Sequence, residues 1–230
     1  MKALINYEIA DAFYNATGLD VIPLKPYSKL DLPVSAHADM LFCLLDKTIF
    51  CYEDYVKENN IYNTLKDSGL NVIFVSNECK KNYPYDISLN VLVMGKTLFC
   101  NIKHTAVEIV DYANNNGYKI VNIKQGYSAC STLVVDENNA ITSDTGVASA
   151  IEKEGKKALL VDNSDIILKG YNCGFIGGAS GVHGKKICIF GEPDYLSCKN
   201  KIEEIINDCN KTIFSILAGR VYDFGGFKII

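Results

Sequence analysis

Tryptophan is absent from this 230-residue chain, histidine occurs three times and proline five times, and no apolar run is long enough to span a bilayer. A spanning helix needs about 20 mainly apolar residues, so the sequence predicts no membrane partner. Blocks of basic residues are missing too. The 23 Lys and Arg against 27 Asp and Glu leave a net charge of -4, with no stripe of one sign. That balance argues against nucleic acid as a partner. The opening MKALINYEIADAFYN carries Glu8 and Asp11 where a secretory signal needs an apolar stretch. A cytoplasmic location is therefore expected.

Cysteine is the contrary case, with nine copies. None forms a C-x-x-C pair, and several lie inside apolar runs such as LFC and KKICIF. This usage suits small buried hydrophobes in a reducing compartment better than disulfides or a zinc site. His37, His104 and His183 have no paired spacing, so neither a metal nor a cofactor is expected. A content of 48% hydrophobic and 22% charged residues is ordinary for a globular protein with a sizeable core.

Internal repetition is the most informative feature. The phrases ATGLDVIPL (16–24), DSGLNVIFV (67–75), NNGYKIVNI (115–123) and KEGKKALLV (153–161) resemble one another, with NKTIFSIL (210–217) as a weaker copy. Each follows a helical pattern: EIADAFYN, VKENNIYNTLK, AVEIVDYANN, VASAIEKE and NKIEEIINDC. In the first four a glycine stands at the expected helix C-cap. The apolar run after it reads as a buried strand. A second phrase then follows a loop: DMLFCLLDKTIFCY, NVLVMGKTLFCN, STLVVDENNAITSD, GVHGKKICIFGE and RVYDFGGFKII. Most copies place two apolar runs around a turn (Asp46-Lys47, Gly95-Lys96, Glu137-Asn138-Asn139, Gly225-Gly226), which is a hairpin signal. The fourth is the weakest.

A helix–strand–loop–hairpin unit repeated five times predicts an α/β fold of five small sheets in a ring, one domain over residues 1–230. The N-terminal KALIN resembles an outgoing hairpin strand and is expected to close the ring with the last unit, which removes exposed sheet edges. The alternative, an open doubly wound sheet, would not need a hairpin after every crossover.

With HADM, GYSACSTLVVDE and GFIGGASG added to the repeat, the chain resembles the pentein superfamily. This is the five-unit pseudo-symmetric β/α propeller of arginine deiminase, agmatine deiminase, dimethylarginine hydrolase and the amidinotransferases, shared by the ribosome anti-association factor. It also resembles an uncharacterised bacterial family with the guanidine-modifying-enzyme fold. Fold membership does not decide activity.

In such a ring the loops before the hairpins point to a central channel. His37 and Asp39, Asn90, Cys130 with Ser131, Ser180 and Arg220 occupy that register, and their polarity predicts a solvated pocket for a small-molecule ligand. SAHADMLF resembles the His-x-Asp motif of the enzymes. The resemblance implies that His37 is the general acid/base and Asp39 a carboxylate on the substrate's guanidinium, which suits a planar cation with several donors. Cys130 stands at a strand mouth two units later, as the enzymes' nucleophile does. It would need a nearby cation, such as His37, to form a thiolate. Asn90, Ser131, Ser180 and Arg220 are candidate binding residues.

The chain departs from the enzymes in three places. Its last unit has no cysteine, GGASG offers Ser180 where one is expected, and the acidic motif one unit before His-x-Asp has no clear match unless Asp223 fills that place by rotation around the ring. The glycine-rich GYNCGFIGGASGVHGKK lacks phosphate-loop spacing and reads as a close-packed, channel-lining segment. His183 is expected in a hairpin turn, and Thr105 as the N-cap of the helix after His104. Two functions follow. One is a hydrolase or transferase on guanidinium or amidine groups through Cys130, His37 and Asp39. The other is a non-catalytic binding platform like the anti-association factor.

Overall fold

The computed structural model describes residues 1–230. In chain order its elements are β1 (Lys2–Asn6), α1 (Ala10–Thr17), β2 (Asp20–Leu24), α2 (Ala38–Leu41), β3 (Phe42–Leu45), β4 (Thr48–Cys51), α3 (Glu53–Glu58), α4 (Tyr62–Asp67) and β5 (Asn71–Phe74). There follow β6 (Leu92–Met94), β7 (Thr97–Cys100), α5 (Val107–Asn115), β8 (Lys119–Asn122), β9 (Thr132–Val134), β10 (Asn139–Thr142), α6 (Thr145–Lys153) and β11 (Lys157–Leu160). The last stretch holds β12 (Ser180–His183), β13 (Lys186–Ile189), α7 (Lys199–Asp208), β14 (Thr212–Ser215) and β15 (Phe227–Ile229).

These strands form five separate three-stranded sheets: β15-β1-β2, β3-β4-β5, β6-β7-β8, β9-β10-β11 and β12-β13-β14. The open doubly wound sheet is thereby excluded. Every sheet has the same plan. A first strand pairs antiparallel with a central strand, which pairs parallel with a third across a helical crossover. β9 lies beside β6 and β12, β12 beside β15, and α2 against β15.

Local chemistry sets the breaks. Gly18, Gly69, Gly117 and Gly155 follow their helices with φ of 71°, 78°, 71° and 74°, the left-handed geometry that ends a helix. Asn210 fills the same place after α7, with φ of 54°. The stretch VKENNIYNTLK is not one helix: Asn60, at φ 55°, interrupts it and leaves α3 and α4. Thr105 is not an N-cap, because its hydroxyl donates to Asn101 O and α5 starts after Ala106. His183 ends β12, half-buried, and the turn itself is Gly184-Lys185.

Two strand expectations are corrected. The runs after the helix caps are half-buried edge strands; the central strands carry the fully buried patterns, as in β4 and β7. RVYDFGGFKII is not a hairpin. Only Phe227–Ile229 is strand, and its antiparallel partner is β1, with Ala3 opposite Ile229. KALIN thus completes the fifth sheet, as expected.

The core is distributed between sheets. Phe13 of α1 and Phe227 of β15 meet at a tilt, 4.8 Å between ring centres, with Phe190 next to them. All nine thiols are free and six are buried. No helix is long and apolar enough to cross a membrane.

Candidate functional site

The segments leading into the inner strands converge. His37 stands at the start of α2 in extended geometry (φ -77°, ψ 124°), and the first turn of α2 carries Asp39. The Asp39 N–H donates to Gly225 O at 3.1 Å, tying α2 to the segment before β15. That segment supplies Asp223. His37 Nδ1 lies 3.7 Å from Asp223 Oδ1 and 4.0 Å from Asp39 Oδ1. These separations exceed hydrogen-bond length, so the imidazole is flanked by two carboxylates rather than bonded to either.

The two carboxylates are held differently. Asp223 accepts from Phe175 N–H at 2.8 Å and from Gly225 N–H at 2.9 Å. Asp39 is 4% exposed, and neither of its oxygens has a hydrogen-bond partner. Burial therefore pushes Asp39 up, to about 6, with nearby His37 opposing, the Asp223 charge adding to the rise, and the adjacent Cys130 thiol opposing more weakly. Burial raises Asp223 as well, against the pull of His37 and its two N–H donors.

At the glycines packed against the cluster there is no room for a side chain. A Cβ on Gly178 would lie 2.0 Å from Asp223 Oδ1. One on Gly225, whose φ is +79°, would lie 2.2 Å from His37 Cβ. The glycine-rich segment is thus close-packed against the site, as its sequence implied. The acidic partner of His37 is Asp223 of YDFGG.

Cys130 stands two residues before β9 and is 5% exposed. Asn90, two residues before β6, donates through Nδ2 to Cys130 Sγ at 2.8 Å and to Asp39 O at 3.1 Å. Its Oδ1 accepts from Ala129 N–H at 2.8 Å. Burial pushes the Cys130 thiol well above its ordinary value, and the Asp39 and Asp223 charges push it further, with Asn90 opposing. Carboxylates, and not the expected cationic neighbour, thus dominate the charge around the thiol.

His37, Cys130 and Asp223 line one cavity of about 270 Å³ whose remaining walls are mostly apolar. His37 and Asp223 also border a second, of about 280 Å³, on the side of Asn6 and Lys169. Asp39 borders a third, of about 500 Å³, on the side of the hairpin turns at Gly95 and Glu137. The polar residues expected at this register are buried apart from Arg220; Asp39 and Ser180 border the larger cavity at the hairpin turns, whereas the cavity beside Cys130 is mostly apolar.

The remaining candidates divide. Ser180 borders the cavity at the hairpin turns, its hydroxyl donating to Ile176 O. Ser131 is buried, its hydroxyl donating to Ser128 O at 3.2 Å, and it lines none of the three cavities. Arg220 is exposed and does not join the cluster; Asp223, three residues on, takes the inward place. In the sequence Asp223 is marked only by its place in the repeat and by the Gly225-Gly226 pair behind it.

Several solved structures share this arrangement of sheets. The P. aeruginosa dimethylarginine dimethylaminohydrolase in complex with citrulline aligns at TM-score 0.53 and 11% identity over 90% of this chain and 79% of that one. An amidinotransferase of the saxitoxin biosynthetic pathway from Microseira wollei aligns at TM-score 0.56 and 9% identity, covering 92% and 76%. C. jejuni agmatine deiminase aligns at TM-score 0.53 and 8% identity, covering 90% and 71%. The chain has the pentein fold of the guanidine-modifying enzymes. Within that fold it belongs to the family of unknown function DUF6873, whose model matches residues 3–228. No curated protein matches the chain.

Proposed function

We propose that the five sheets form a pseudo-symmetric β/α propeller whose central site binds a small guanidinium or amidinium compound and acts on it as a hydrolase or transferase. The observation that carries this reading is the Asp39 carboxylate, buried with both oxygens unpartnered beside a second buried carboxylate. Such a group is costly unless a donor meets it. A planar cation with paired N–H groups meets it in bidentate fashion. The similarity in fold to hydrolases and transferases of guanidino compounds supports the same class of ligand.

In this reading the bound cation offsets the carboxylates that hold the Cys130 proton in place. The thiol then passes its proton to His37, and Sγ bonds to the central carbon of the ligand. His37 returns the proton to the departing nitrogen as the C–N bond breaks. Water, or an acceptor amine in a transferase, then displaces sulfur and regenerates the thiol. Asp223 positions His37.

The second reading is a binding protein without chemistry, favoured by the burial and raised pKa of Cys130. Chloroacetamidine and chloroacetamide separate the two. They have the same shape and leaving group, but only the amidine is cationic. A catalytic site alkylates Cys130 at least ~10-fold faster with the amidine, since a cation drawn to two carboxylates lowers the thiol pKa. Equal rates, or no labelling of Cys130 by either, would leave the binding reading in place.

A further inference from the structure

The walls of the cavity beside Cys130 bear on what hangs from the guanidinium. Beyond His37, Cys130 and Asp223, that lining is supplied chiefly by Val34, Met40, Leu168, Phe175, Tyr127 and Tyr171. No lysine or arginine lines it, and Arg220 is exposed elsewhere. The two tyrosine hydroxyls are already committed: Tyr127 donates to Asp86 Oδ2 at 2.7 Å and Tyr171 to Asp31 Oδ2 at 2.9 Å. Each hydroxyl is therefore backed by a carboxylate, an arrangement that repels an anion. Asn172 is the one neutral amide side chain in the lining.

An amino-acid substrate would bring an α-carboxylate and an ammonium group into these walls. The carboxylate would meet no cation and would be repelled by the acids behind the tyrosines. The ammonium would lose its water against aliphatic and aromatic carbon, a cost that the two acids, lying behind the tyrosine hydroxyls, offset only in part. An alkyl or arylalkyl tail loses nothing there, and each methylene it buries tightens binding about fourfold.

Resting on the reading of this site as a guanidinium site, we infer that its ligand is a small guanidinium or amidinium compound with an apolar, uncharged tail. The head sits by Asp223 and Cys130, the carboxylate and thiol that line this cavity. The tail lies between Leu168, Phe175 and the two tyrosines. Specificity against free amino acids then comes from a missing cation and not from a steric block.

The test is calorimetric titration of the full chain with n-butylguanidinium, agmatine and arginine, which share a guanidinium head and differ in the tail. The inference expects n-butylguanidinium to bind at least ~10-fold tighter than either. Arginine or agmatine binding as tightly would overturn the apolar-tail assignment and leave the guanidinium reading standing. No binding by any of the three would remove that reading and the inference together. The exposed Asn172→Arg variant adds the missing cation with little risk to folding. It should raise arginine affinity several-fold relative to n-butylguanidinium. An unchanged ratio in a folded variant would mean that lack of a cation is not what excludes the amino acid.

Discussion

Asn90 from the approach to one sheet donates its side-chain amide to the sulfur of Cys130 at 2.8 Å, while its oxygen accepts from the adjacent Ala129 N–H at 2.8 Å. One residue thus fixes both the backbone and the thiol of the next unit. Asn90→Ala leaves the Ala129 N–H and Asp39 O without this partner. It should cost about 1–3 kcal/mol in urea denaturation. It should also slow alkylation of Cys130, because the thiolate loses its one favourable donor.

Asp39 should weaken the fold near neutral pH. Its carboxyl is raised from 3.8 to about 6 by burial, so between those values the unfolded chain holds fewer protons than the folded one. Its contribution is full below pH 3.8 and is lost as pH rises through about 6. A shift of that size corresponds to roughly 3 kcal/mol. Asp39→Asn should therefore be more stable than the parent at pH 8, by roughly 1–3 kcal/mol once the buried amide's own cost is included. The gap should close as denaturation is repeated toward pH 4. The same substitution should speed labelling of Cys130 by a neutral reagent, because the largest charge opposing the thiolate is gone.

Gly225→Ala and Gly155→Ala make a matched pair. Both positions have positive φ, +79° and +74°. At Gly155 nothing lies within 4 Å of a new Cβ, so only the left-handed backbone is penalised, by about 1–2 kcal/mol. At Gly225 the Cβ also overlaps His37, which adds about 1–3 kcal/mol of overpacking. Thermal unfolding should rank Gly225→Ala clearly below Gly155→Ala. Equal losses would mean that His37 moves aside freely.

Mass-spectrometric mapping of native alkylation should give a defined order among the nine thiols. Half-buried Cys173, Cys198 and Cys209 should label first with neutral iodoacetamide. Cys43 and Cys51, whose thiols burial pushes up to about 12, should label only on unfolding. Early labelling of either would place it at the surface.

The repeat was legible because each unit repeats its punctuation: a left-handed glycine after the helix, an apolar strand, then a turn. The N-terminal strand was legible for the same reason, since KALIN matched the second arm of the other hairpins. What sequence misassigned was burial. Period and apolarity mark the strands after the helix caps as strongly as the central ones, yet only the central ones have a neighbour on each side. At the site, His37 and Asp39 announced themselves by adjacency. Asp223 did not, because its meeting with His37 joins residues far apart in the chain, and Arg220 nearby was the more conspicuous charge. The apolar walls beside Cys130 were also hidden, since they come from loops whose Tyr127, Leu168 and Tyr171 share no periodicity.

The pairing of β1 with β15 gives this protein a seam. Ala3 lies opposite Ile229, and Lys2 and Ile230 exchange backbone hydrogen bonds of 2.7 and 2.8 Å. β1 has only β2 beside it until β15, distant in the chain, pairs with its other edge. The same final segment carries Asp223 to His37, so the site is assembled in the step that shuts the seam. Four sheets draw on contiguous stretches of chain; the meeting of His37 and Asp223 does not.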